Sequence, residues 1–223
     1  MTPTSTGPSK GLQLRLLLPI AVIIGILAGG TVALLGGSSR PALPGGAQQA
    51  PPGGGYLGTL ALPAKQAPAL DLRNYLGRPV TLAEYRGRVV LVTFLYTHCP
   101  DVCPLITSKL RVVLKLLRSR VSQTQVIAIS VDPRGDTPGA VASFLQSHDM
   151  LGRMQYLIGS PAQLARTWAA WSVGSTRDVG QPDRVAHSAL VYGISASGRL
   201  LTIYPSSFEP SEIVHDVPKL AAG

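Results

Sequence analysis

The chain has 223 residues, enough for one domain with additions, and its 45% hydrophobic content is ample for a core. Two cysteines are too few for a disulfide-stapled scaffold. The formal net charge of +9 is not gathered in one tail, aromatics make up only 5%, and no recognition motif is present, so no nucleic-acid partner is expected.

Residues 1–15 carry Lys10 and Arg15, and residues 16–35, from Leu16 to Leu35, carry no charge. At about 1.5 Å per residue this run reaches roughly 30 Å, one bilayer core. Positive charge on its amino side keeps residues 1–15 in the cytoplasm and exports the rest. The reading is a single-pass anchor in the cell membrane with the folded domain on the extracytoplasmic side. The run is longer than a usual signal-peptide core, which favours an uncleaved anchor over a cleaved signal. It holds no cysteine, so lipoprotein anchoring is excluded. Residues 36–68 are rich in Gly and Pro, including Pro51-Pro52-Gly53-Gly54-Gly55. They read as a disordered tether spanning about 30 Å.

The folded domain is expected over 69–223. Leu70 to Leu72 and Pro79 to Leu82 look like short strands about a turn at Gly77. Val89 to Leu95 is an apolar, β-branched run that reads as a buried strand. Ile106, Leu110, Val113 and Leu117 repeat at helical spacing and predict a helix over about 102–120. Thr124 to Val131 is a second buried strand, completing a βαβ unit. Thr137 caps a helix that opens on Pro138 and runs to about His148. A short strand at Met154 to Ile158 and a helix from Ala162 to Trp171 follow. His187 to Ile194 and Arg199 to Tyr204 make a hairpin, and a last helix covers about 210–220. This order predicts an α/β, thioredoxin-like fold.

The most informative stretch is Thr97-His98-Cys99-Pro100-Asp101-Val102-Cys103-Pro104, which holds both cysteines. Positions four apart on a helix share one face, so the two sulfurs could hold one soft metal ion or close one disulfide. They lie where a strand hands over to a helix. Unpaired amides at a helix start carry partial positive charge and stabilise a thiolate. The prolines suit the first turn, and Asp101 is a candidate cap. Two plainer readings compete. The cysteines could be ordinary buried small residues. They could form a structural disulfide, but its short loop offers little stabilisation.

In a thioredoxin-like sheet the strand beginning at His187 runs antiparallel to the strand carrying the cysteines. His187 is then brought close to Cys99 and Cys103. Two thiolates and an imidazole suit copper, thiolate selecting Cu(I) and imidazole also accommodating Cu(II). Zinc prefers a fourth ligand, and none is evident.

Three blocks carry a family resemblance: Thr93 to Pro104, Ile129-Ser130-Val131-Asp132-Pro133-Arg134-Gly135-Asp136-Thr137-Pro138, and Val185-Ala186-His187-Ser188. In this order, over about residues 70 to 220, the chain resembles the SCO/SenC family. The resemblance implies a thioredoxin-like domain on a membrane anchor, with copper held by Cys99, Cys103 and His187. It also implies delivery of copper to the binuclear copper centre of cytochrome c oxidase, or reduction of the cysteines that receive it. Three positions depart from the family's pattern. Ala186 stands where an acid usually precedes the histidine, which bears on transfer more than on binding. Leu95 replaces a frequent glycine. Gly135 replaces a common charged residue, a change expected to matter little.

Other residues have weaker claims. His98 is expected to point away from the metal, and His148 and His215 to lie on the surface near helix ends. Trp168 and Trp171 are expected in the core. Residues 172–186 read as a long mobile connection that gates the metal or meets the partner. Lys109, Arg111, Lys115, Arg118 and Arg120 read as a solvated helix face, with an acidic partner or anionic membrane as the alternative.

The leading function is a membrane-anchored copper metallochaperone. Its recipient would be the copper-receiving subunit of cytochrome c oxidase or another exported cuproprotein. The alternative is a thiol–disulfide reductase using Cys99 and Cys103 as a redox pair, although its spacer is one residue longer than usual. A redox or copper sensor is a further possibility. A peroxidase is disfavoured by the closely placed pair.

Overall fold

The computed structural model describes residues 55–177 and 185–223. The segment expected in the cytoplasm, the anchor expected at 16–35 and residues 36–54 of the expected tether lie outside the described residues. Among the described residues, no helix is long and apolar enough to cross a membrane.

In chain order the elements are β1 (Thr59–Gln66), β2 (Leu72–Asn74), β3 (Pro79–Val80), β4 (Val89–Leu95), α1 (Val102–Leu117), β5 (Thr124–Ser130), α2 (Pro138–Ser147), β6 (Met154–Ile158), α3 (Pro161–Ala170), β7 (Ser175–Arg177), β8 (Val185–His187), β9 (Leu190–Ile194), β10 (Arg199–Pro205) and α4 (Pro210–Ala222). Eight strands form one sheet in the order β1-β10-β9-β4-β5-β6-β2-β3, and β7 pairs with β8 separately. β4, β5 and β6 run parallel, while β9 runs antiparallel to β4. This is the thioredoxin-like arrangement that the element order predicts.

β4 is flanked on both sides, and all seven of its residues are buried, which explains its unbroken apolar sequence. Its one polar side chain, Thr93, donates to the Leu190 carbonyl at 2.9 Å. Phe94 meets Trp171 and Tyr192 edge-on, each with ring centroids 6.0 Å apart. Removing such a buried ring typically costs about 3–5 kcal/mol. On α1, Ile106, Leu110, Val113 and Leu117 are all buried, as their spacing requires. Thr137 caps α2 by accepting from the Ala140 amide, and Ser160 caps α3 with a reciprocal bond from Gln163.

Four expectations need correction. The sheet begins at Thr59, ten residues before the expected domain start, because β1 pairs with β10 inside the stretch read as tether. β1 is an edge strand with an irregular register and a central Pro63, features an edge tolerates and a composition count mistakes for linker. α1 ends at Leu117, where buried periodicity stops, and a 3-10 turn without buried residues follows over Arg118–Gln123. His187 does not open the hairpin. It ends β8, paired with Ser175, and the hairpin strand starts at Leu190. The ends of the expected 172–186 loop are themselves strands, and residues 178–184 lie outside the described residues.

Candidate metal centre

β4 delivers the cysteine loop to the edge of the core, and a buried carboxylate holds it there. Asp136 accepts the Thr97 amide at 2.8 Å. Its other oxygen accepts the Ser130 hydroxyl at 2.6 Å and the Tyr156 hydroxyl at 3.0 Å. Burial raises the Asp136 carboxyl above the usual carboxylate range, against the pull of these bonds. The chain then turns, with the Cys99 amide donating to the Tyr96 carbonyl at 3.3 Å. Asp101 caps α1 by accepting from Val102 at 2.6 Å, as its position suggested. Pro104 falls within the first helical turn, where a missing amide proton removes no intrahelical bond.

The two cysteines do not share a helix face, because Cys99 sits in the turn before α1 and Cys103 in its first turn. The helix start nevertheless brings them together. The Cys103 amide donates to Cys99 Sγ at 3.3 Å, using one of the first-turn amides that lack an intrahelical acceptor. Both thiols are free and buried. The Cys99 pKa is lowered to about 6, chiefly by the hydrogen bond from the Cys103 side chain. The Asp101 and Cys103 amides and Tyr96 add to this and together outweigh burial. The Cys103 thiol is pushed well above its ordinary value by the bond it makes to Cys99 and by burial. At neutral pH the pair is one thiolate and one thiol that shares its proton.

β8 brings the imidazole to this pair. Along β8 the side chains alternate: Val185 is buried, Ala186 exposed and His187 half-buried. His187 Nδ1 lies 3.3 Å from the Ser188 carbonyl. A carbonyl only accepts, so this bond puts the ring proton on Nδ1 and leaves the Nε2 lone pair facing the site. Nε2 lies 3.7 Å from Cys103 Sγ. Burial lowers the His187 pKa, which keeps the ring neutral. Tyr96 packs edge-on against it, 5.9 Å between centroids at 82°, and its hydroxyl accepts the Val185 amide at 3.5 Å. Cys99, His187 and Ala186 line a cavity of about 250 Å³.

A metal with bonds of about 2.3 Å to sulfur and 2.0 Å to nitrogen, at tetrahedral to trigonal angles, would hold those two atoms about 3.5–3.7 Å apart. The Cys103–His187 separation falls in that interval. Among the described residues, no group of three or more His, Cys, Asp or Glu side chains is already arranged as a metal cage. The structure therefore places His187 beside Cys103 and Cys99 beside Cys103, without a finished three-donor enclosure. A thiolate, a thiol ready to lose its proton and a neutral imidazole form a donor set that could hold a soft metal, or the sulfurs could exchange with a disulfide.

His98 points away, as expected: it is exposed, and its Nδ1 lies 3.0 Å from the Thr97 hydroxyl. Gly135 lies against the side chains of Asp132 and His98. A Cβ there would run into the Asp132 carboxylate and press on the His98 ring, so those side chains would have to shift. His148 follows α2 at its end, whereas His215 lies within α4, exposed and bonded to Asp216 at 2.9 Å. Trp171 is buried, and Trp168 is partly buried, its indole donating to the Ser130 carbonyl at 2.9 Å. Tyr96 and Asp136 were not singled out by sequence reasoning. Both lie inside the blocks that carry the resemblance, and no local signal sets Asp136 apart from its neighbour Asp132.

The sequence profile described as SCO1/SenC matches residues 61–222. The mitochondrial SCO2 homologue of Bos taurus is 34% identical over 151 residues, covering 66% of this chain and 56% of that one. The chain thus spans little more than half the length of this curated relative. ScoI of Bradyrhizobium japonicum, solved with copper bound, is 29% identical with a TM-score of 0.61, covering 70% of this chain and 99% of that one. Apo Sco1 of Thermus thermophilus is 27% identical with a TM-score of 0.64, covering 74% and 97%. With the profile spanning most of the sequence and the fold shared with these structures, the chain belongs to the SCO1/SenC family.

Proposed function

We propose that this chain is a copper metallochaperone that holds copper through Cys99, Cys103 and His187. It passes the copper to the copper-receiving subunit of cytochrome c oxidase or to another exported cuproprotein. The observation that carries the reading is the 3.7 Å approach of His187 Nε2 to Cys103 Sγ, beside a Cys99 already held by the Cys103 amide. The copper-bound relative from Bradyrhizobium japonicum supports it. Cys99 offers a thiolate at once, Cys103 surrenders its proton when the metal binds, and His187 presents a neutral lone pair. A thiolate pair suits Cu(I), and the imidazole widens the set to Cu(II). Residues 16–35 anchor the protein in the cell membrane with the domain outside, and the tether lets it reach a partner in the same membrane. Ala186, exposed at the cavity wall, removes the family's usual negative charge from the face a recipient would meet.

A second reading rests on the lowered Cys99 pKa. Cys99 thiolate would attack a recipient's disulfide, forming a mixed disulfide and releasing one recipient thiolate. Cys103 would then displace the second, leaving the recipient reduced and Cys99–Cys103 oxidised. Mixing the copper-loaded protein with the oxidase subunit lacking copper separates the two. The metallochaperone reading expects copper to appear on the recipient. Recipient thiols appearing without metal transfer would replace it with the reductase reading.

A further inference from the structure

The cations of α1 do not all remain a solvated helix face. Arg111, Lys115 and Arg118 converge with Arg88, which precedes β4, and Arg153, which precedes β6, around a concave pocket of about 670 Å³. No acidic side chain lines it. Among the described residues, none of these cations forms an ion pair. Arg88 is held in place: its Nη2 donates to the Thr124 carbonyl at 3.2 Å, and its guanidinium lies 5.7 Å from the Tyr85 ring centroid. Its buried Nε has no hydrogen-bond partner.

Helix-end electrostatics explain part of this arrangement. Lys115 and Arg118 sit at the carbonyl end of α1, where cations are favoured. Arg111, Arg88 and Arg153 are not at that end, and gathering them there costs mutual repulsion. A compact, multiply charged anion would relieve it. Arginine forks match phosphate oxygens in pairs, and the volume is that of a small-ligand site. Val121, which lines the pocket, and Leu116 and Leu151, next in sequence to lining residues, are exposed. An acidic peptide would need an extended track, whereas these cations surround one concavity.

We propose that this pocket binds a ligand with closely spaced phosphate groups, carried on a lipid headgroup or free as a polyphosphate. Its position makes it independent of the metal centre. β4, β5 and β6 are parallel, with Val89 opposite Thr124 and Val126 opposite Met154. Arg88, Thr124 and Arg153 therefore lie at the strands' starts, and Cys99 follows the end of β4. An occupant of the pocket leaves the sulfurs free to meet a partner.

The test titrates the full chain with pyrophosphate by calorimetry, and with phosphatidylcholine vesicles containing or lacking cardiolipin. Arg111→Gln and Arg153→Gln should each weaken binding about tenfold, and added salt should weaken it further. Arg166→Gln, exposed on α3 away from the pocket, should leave it unchanged, and circular dichroism confirms that the variants fold. Pyrophosphate binding without a cardiolipin effect assigns a free polyphosphate, and a cardiolipin-dependent gain lost in both variants assigns a lipid headgroup. Binding of both probes indifferent to Arg111 and Arg153 would overturn the site. So would polyglutamate binding as tightly as pyrophosphate with the same variant sensitivity, which would assign an acidic protein segment instead.

Discussion

His187 Nε2 lies 3.7 Å from Cys103 Sγ although 84 positions separate the residues. The β7–β8 ladder sets the height of the ring, the Ser188 carbonyl sets its tautomer, and Tyr96 braces its face. Tyr96 also hydrogen-bonds Cys99 and helps to lower its pKa. Tyr96→Phe keeps the aromatic ring and removes that bond. The Cys99 pKa should rise above its wild-type value of about 6, read from the pH dependence of alkylation with mass-spectrometric assignment. An unshifted profile would show that the hydroxyl does not act on the sulfur.

The same titration predicts the pH dependence of stability. Cys99 ionises at about 6 in the fold, against 9.0 for an ordinary thiol. Between these values the unfolded chain binds more protons, so stability rises with pH. This contribution is complete above pH 9.0 and is lost as pH falls through about 6. Cys103, shifted upward, opposes it only at higher pH. Denaturant midpoints of the reduced protein should therefore fall more steeply from pH 9.0 to about 6 in wild type than in Cys99→Ser. Parallel curves would contradict the lowered pKa.

Asp136 supports the cysteine loop from beneath. Asp136→Ala leaves the Thr97 amide and the Ser130 and Tyr156 hydroxyls without their acceptor. Unsatisfied buried donors cost about 1–3 kcal/mol each. A loss of at least about 3 kcal/mol in unfolding free energy is expected, together with faster Cys99 alkylation as the loop loosens. A stability change within the ±0.5 kcal/mol of ordinary surface substitutions would contradict this role.

A second buried carboxylate fastens the residues that lead into β1. Asp216, fully buried, accepts the Leu57 amide at 2.9 Å, the Gly58 amide at 2.8 Å and the Tyr204 hydroxyl at 2.8 Å. A Cβ at Gly58 would run into the Tyr204 ring. Asp216→Ala and Gly58→Ala should both free β1 from the edge of the sheet. New proteolytic cleavage around residues 57–66, with the rest of the domain intact, is the expected readout. Unchanged resistance would show that β1 is held by its ladder to β10 alone.

Local pattern carried much of the fold. The limits of β4 and β6 follow from short apolar runs, and Thr137-Pro138 marks the start of α2. What pattern could not supply was pairing. β1 looks like linker until β10 is beside it, and His187 belongs to a ladder whose partner, β7, has no apolar signature. The site was legible in its donor atoms, which are rare residue types near a strand end. Its supports were not, because Asp136 and Asp216 gain meaning only from donors far away in sequence. The cationic pocket was legible only in its α1 half, since Arg88 and Arg153 join it through the parallel register of the strands.

The central claim is that one imidazole and two sulfurs share one copper ion. X-ray absorption at the copper edge, on the copper-loaded full chain and on His187→Ala, tests it most directly. The account predicts sulfur from both cysteines and one imidazole nitrogen in wild type. In the variant the nitrogen signal should vanish, with affinity reduced by at least the roughly 10–100-fold that loss of an outer-shell partner costs. An identical spectrum and affinity in the two proteins would contradict it.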